Sequence, residues 1–96
     1  MRPAYLLADI EVIDAEAYEG YRKQVPAVLA AHGGRYLVRG GSSEVLEGSW
    51  NPRRTVIVVF PSMASLKAFY SAPEYQALLA LRQRTTKSNV VAFEGI

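Results

Sequence analysis

The stretch AAHGGRYLVRGG, residues 30–41, gathers the chain's only histidine, two arginines and two glycine pairs. An imidazole titrates near neutrality, so His32 is a candidate general base beside a pocket. Its position suits a structural part as well. It stands one residue before Gly33 at the end of an apolar helical stripe, where a ring nitrogen can satisfy a carbonyl at the helix terminus. No acidic partner lies near it in the sequence, which favours the structural reading.

Asp9 is the second candidate for moving a proton. With strict strand alternation, Asp9, Glu11 and Arg39 all point away from the helices onto one sheet face. Charges there must be paired or wet. One reading is an arginine–carboxylate pair, internal or across a dimer. The other is a polar cleft in which Arg39 holds an anionic or carbonyl-bearing ligand and a carboxylate moves protons. Gly40 and Gly41 let backbone or ligand approach Arg39 closely. Tyr21 is the helix tyrosine best placed to offer its hydroxyl to a cavity. Glu47, Trp50 and Arg54 cluster around the turn LEGSW, as a cavity mouth or as the rim of a dimer interface.

These residues need elements to hold them. YLLADIEVI (5–13) alternates, with Leu6, Ala8, Ile10 and Val12 on one apolar face, and reads as a strand. Asp14 is an N-cap, with Ile13 and Tyr18 at the positions of a hydrophobic staple. Tyr18, Tyr21, Val25, Val28, Leu29 and His32 follow at helical spacing, with Pro26 inside the pattern and Gly33 suited to end it. RYLVRGG is a second strand, interrupted at Gly40–Gly41 and resuming through EVLEG. TVIVVF (55–60) is apolar on both faces and reads as a central strand. Ser62 caps a helix, and Ser71 with Glu74 forms a capping box that restarts it, with Tyr70 and Tyr75 as its staple. NVVAFEG (89–95) is the last strand.

The order is β-α-β-β-α-β, an α+β ferredoxin-like arrangement: an antiparallel sheet with two helices on one face. The uncovered face keeps Leu7, Leu37 and one side of residues 55–60. An apolar surface of that kind marks an interface, so a homodimer is expected.

Composition narrows the chemistry. The 96 residues are expected to form a single domain, 1–96, of ordinary globular balance, half hydrophobic and 21% charged. No cysteine is present, which removes disulfides, thiolate nucleophiles and cysteine-rich zinc sites, and one histidine argues against a histidine-rich metal site. No cofactor is expected: a dinucleotide fingerprint, a P-loop and a serine elbow are all lacking. A net charge of +2, with Arg53-Arg54 the longest basic cluster, argues against nucleic acid as a partner. RNA-recognition domains share the topology, but RTVIVVF carries only Phe60 as an aromatic. No window is apolar enough to span a bilayer, and a cytoplasmic location is expected.

The runs YRKQVPAVLAAHGGRYLVRGG, VLEGSW, VIVVFPS, AFYSAPEYQALLALR and FEG resemble, in the same order, the domain-of-unknown-function 1330 family. That resemblance implies the dimeric α+β barrel superfamily. Relatives there include cofactor-independent monooxygenases, lactone isomerases, haem-degrading enzymes and plain dimers, so the fold alone does not choose a reaction. Arg39 falls within the family's RGG pattern. The expectation is a small homodimer binding an organic acid or carbonyl compound in a cleft, with cofactor-independent catalysis there left as an open alternative to binding alone. The alternative is a non-catalytic binding or assembly module.

Overall fold

Alternation in the first run builds β1 (Ala4–Val12), burying Ala4, Leu6, Ala8 and Ile10 and leaving Tyr5, Leu7, Asp9 and Glu11 on the opposite face. The computed structural model describes all residues, Met1–Ile96. Asp14 starts α1 (Ala15–Ala31), its carboxylate accepting the Ala17 amide at 3.1 Å. The expected staple does not form as drawn: Tyr18 enters the core while Ile13 stays 60% exposed. Pro26 is carried inside α1 without ending it. Gly33 ends it, at φ +79°, with its amide on the Ala30 carbonyl and the Gly34 amide on the Leu29 carbonyl. That pair of bonds satisfies carbonyls that the last helical turn leaves open.

The strand β2 (Arg35–Arg39) follows, then β3 (Thr55–Phe60). The strand expected to resume through EVLEG does not: residues 40–54 are irregular and largely exposed. Three glycines and a mainly polar run leave that segment no row of apolar residues to bury. Ser62 caps α2 (Met63–Ser71), accepting the Ser65 amide at 3.1 Å.

The break before α3 (Pro73–Thr85) is real, but its cause differs from the sequence expectation. Ser71 is the last residue of α2, and its hydroxyl donates back to the Lys67 carbonyl at 2.9 Å. The α3 N-cap is Ala72, without a side-chain bond. Pro73 makes the break: its ring pushes Ala72 to extended backbone and it sits in the first helical turn, where no amide is needed. Tyr70 and Tyr75 do meet, with ring centroids 5.7 Å apart. The last strand, β4 (Thr86–Glu94), starts directly from α3, three residues before the expected Asn89.

The four strands pair antiparallel in the order β2-β3-β1-β4. All three helices lie on one face, over a core that includes Val58, Phe60, Phe69 and Tyr75. On the other face Val38, Ile57, Leu7 and Val91 fall in register across the sheet, with Val59, Tyr5 and Phe93 in the next row. Phe93 there is 51% exposed. No helix is long and apolar enough to cross a membrane.

Loss of a cap should separate the three serine and aspartate positions. Asp14→Ala and Ser62→Ala are each expected to cost about 0.5–2 kcal/mol in chemical denaturation. Ser71→Ala should stay within about 0.5 kcal/mol of the parent, because its hydroxyl only bonds back along its own helix.

Candidate functional site

Pairing of β2 with β3 decides where the arginines go. Arg35 and Tyr36 face Val59 and Val58, but Val38 faces Ile57 and Arg39 faces Val56. One residue, Leu37, is therefore extra, and a bulge of this kind reverses the faces of everything beyond it. Arg39 lands on the helix side, in the row of Val56 and Ala8, not on the face of Asp9 and Glu11. The expected pairing of Arg39 with those carboxylates is overturned for that reason. Its guanidinium lies 4.6 Å from the Tyr36 ring centroid, and Nη2 donates to the Arg22 carbonyl at 3.1 Å.

Arg54 precedes β3 in the same parity as Val56 and so also points toward the helices. It passes over Gly40, where a Cβ would stand 2.7 Å from the Arg54 Cζ. Gly40 also has φ +69°, which L side chains rarely adopt. Arg54 Nε is buried and has no hydrogen-bond acceptor. Arg22 comes from α1 and is the one cation here with a carboxylate, Glu19, which it grips through Nε at 2.9 and 3.1 Å. That bond holds the Glu19 carboxyl below its usual range.

Together with Tyr18, these three arginines border an open cleft of about 510 Å³. The same four residues border an inner cavity of about 50 Å³ between the sheet and the helices, well above the roughly 10–15 Å³ that one water needs. Its walls are mainly apolar. Its polar floor is Tyr21, Tyr70, Tyr75 and Arg82. The Tyr21 and Tyr75 hydroxyls share a 2.8 Å hydrogen bond. Burial, then the neighbouring Tyr75, pushes Tyr21 far above the ordinary phenol range, so it stays protonated. Arg82, only 4% exposed, donates to the Tyr70 hydroxyl at 3.3 Å.

The remaining candidates lie elsewhere. Asp9 accepts the Arg53 amide at 3.1 Å and the Trp50 indole N–H at 3.4 Å, and Glu11 pairs with Arg53 at 3.6 Å. They tie the irregular segment to the open sheet face. Glu47 is exposed in that segment, and Trp50 is 63% exposed. His32 caps α1, packs edge-on against Phe69 and donates from Nε2 to Glu74 Oε1 at 3.0 Å. Its partner is thus a carboxylate on α3, not the helix-end carbonyl expected, and the contact lowers the Glu74 pKa. No group of three or more His, Asp or Glu side chains comes together as a metal site would require.

Of the sequence candidates, the structure brings Arg39, Arg54 and Tyr21 to one place. Sequence reasoning missed Arg22, Tyr36, Tyr75 and Arg82. One signal was available: Tyr75, Leu78 and Arg82 form a helical stripe, and an arginine on an apolar stripe is rarely idle.

Over residues 3–96 the sequence matches the family described as domain of unknown function (DUF1330). The chain belongs to this family. Among curated proteins none matches it. Among solved structures, this DUF1330 member is similar to a protein of unknown function from Rhodopseudomonas palustris, 20% identical, with TM-score 0.81 over 99% of this chain and 83% of that one. It is similar to SnoaB, a cofactor-independent oxygenase from Streptomyces nogalater, at 10% identity and TM-score 0.67, covering 97% and 92% of the two chains. A dimeric ferredoxin-like protein of unknown function from Jannaschia sp. CCS1 gives 17% identity and TM-score 0.65, covering 96% and 98%. At such identities the likeness is one of fold.

Gly40→Ala should be felt at the arginine cleft. Positive φ and the crowding of Arg54 together are expected to lower stability by about 1–3 kcal/mol in thermal or chemical unfolding. An unchanged melting curve would mean that Arg54 does not need the open backbone beside it.

Proposed function

We propose that this protein binds a small organic acid or carbonyl compound in the cleft between α1 and the sheet. One observation carries the reading. Arg39 and Arg54 converge on the mouth of an apolar, tyrosine-lined cavity, and no carboxylate of the chain pairs with either. A guanidinium is matched by a planar acceptor with two oxygens, and its fork distinguishes it from a lysine. The ligand's carboxylate sits among the arginines and its apolar body enters the cavity.

The cavity wall holds no histidine, aspartate or glutamate, and the only carboxylate at the mouth, Glu19, is committed to Arg22. This favours ligand binding as the primary activity over acid–base catalysis by His32 or Asp9. Cofactor-independent chemistry in the cavity would fall to its tyrosines.

The test is calorimetry with short carboxylates such as benzoate and 4-methylpentanoate. Arg39→Lys keeps the charge and loses the fork, so binding should fall by about tenfold or more while unfolding changes little. Equal binding by parent and variant, or no binding by the parent, would remove the reading.

The proposed assembly is a homodimer built on the open sheet face, supported by the apolar rows through Leu7, Ile57 and Phe93. Light scattering at micromolar concentration should give twice the 10.6 kDa chain mass. Leu7→Glu should produce monomer or insoluble protein. A monomeric parent would rule the dimer out.

A further inference from the structure

The floor of the cavity has a chemical bias of its own. Tyr21, Tyr70 and Tyr75 bring one hydroxyl proton each, and Arg82 brings only donors. The Tyr21–Tyr75 bond at 2.8 Å uses one of those protons. The contact from Arg82 to Tyr70 at 3.3 Å uses a lone pair, not a proton. Two hydroxyl protons therefore remain with no acceptor from the chain. Arg82 sharpens the bias: it is 4% exposed, forms no salt bridge, and its charge acts on all three tyrosines. A buried cation without an anion is costly unless polar groups surround it.

We infer that Arg82, Tyr70 and the Tyr21–Tyr75 pair form a second subsite at the cavity floor, for an oxygen that only accepts hydrogen bonds. The ligand class is then an oxo acid: a carboxylate at the arginine mouth and a ketone carbonyl, or its enolate, at the tyrosine floor. This rests on the reading of the mouth given above and adds the second functional group. A hydroxyl in the same place would bring another proton to a site already rich in them. A hydrocarbon there would leave desolvated donors unpaired, which is how polar sites reject isosteres. Negative charge developing on the carbonyl oxygen would be met by the Arg82 cation through the hydroxyls it polarises.

The experiment compares matched pairs of acids: 4-oxopentanoate with 4-methylpentanoate, and 5-oxohexanoate with 5-methylhexanoate. Within each pair a carbonyl is replaced by a branched carbon of similar shape, and the two pairs differ by one methylene between the carboxylate and that position. In calorimetry the intact protein should bind the oxo acid of at least one pair about tenfold or more tightly than its isostere. Tyr75→Phe should reduce that preference below about threefold while the branched acid keeps its affinity. Tyr70→Phe, at a half-buried position, gives the same readout should Tyr75→Phe fail to fold. Equal binding of both acids, abolished by Arg39→Lys, would overturn the floor subsite and leave the mouth intact. A preference that survives both tyrosine variants would also overturn it. Failure of all four acids to bind would overturn mouth and floor together.

Discussion

Between Tyr36 and Val38, β2 carries one residue more than β3 can pair, and the charge of the cleft follows from that mismatch. Without it Arg39 would stand on the open sheet face among partner-ready carboxylates. With it the guanidinium turns under α1, stacks on Tyr36 and meets Arg54 coming from the neighbouring strand. The glycine after the bulge completes the arrangement, because any side chain at Gly40 would occupy the path of Arg54. A local irregularity of pairing has thus changed an electrostatic surface without changing the fold.

Gathering cations in this way opposes stability. Arg22, Arg39 and Arg54 share one cleft, and only Arg22 has a carboxylate to offset it. Arg39 is held instead by an aromatic face and a backbone carbonyl, and Arg82 by the Tyr70 hydroxyl oxygen. Such contacts offset part of a desolvation penalty while leaving the net charge in place. Structures tolerate this kind of local conflict chiefly where a site needs it. The opposite face of the sheet behaves conventionally, since its acids Asp9 and Glu11 meet Arg53 and Trp50 and serve to anchor the long irregular segment.

What the sequence made legible was whatever short-range chemistry controls. Asp14, Ser62 and Gly33 act at the helix ends that their types and neighbours indicate. Alternation in residues 5–13 and the two-sided apolar run of residues 55–60 identified the two strands that lie at the centre of the sheet, and with them the uncovered face. The failures share a cause, because each depended on a partner far along the chain or on geometry with no local signature. His32 finds Glu74 across 42 residues. The face of Arg39 depends on how β2 aligns with β3, and alternation within β2 alone carries no trace of that. Ser71 and Glu74 satisfy a capping pattern, but Pro73 between them sets the backbone first.

The junction of α3 and β4 has a consequence for how the site comes into being. No linker separates the two elements, and the Thr86 hydroxyl donates to the carbonyl of Arg82 at 2.6 Å, so the Arg82 end of the cavity floor is tied to the first residue of the last strand. That strand is placed by pairing with the first one, Ala4 opposite Glu94 and Val12 opposite Thr86. Pairing the first strand with the fourth closes a long loop, and contacts of that range slow folding. The Arg82 end of the floor is therefore fixed only once the first and last strands have paired. A molecule with its last strand frayed would lose that tie on Arg82, while Arg22 on α1 and Arg39 on β2 would keep the elements that carry them.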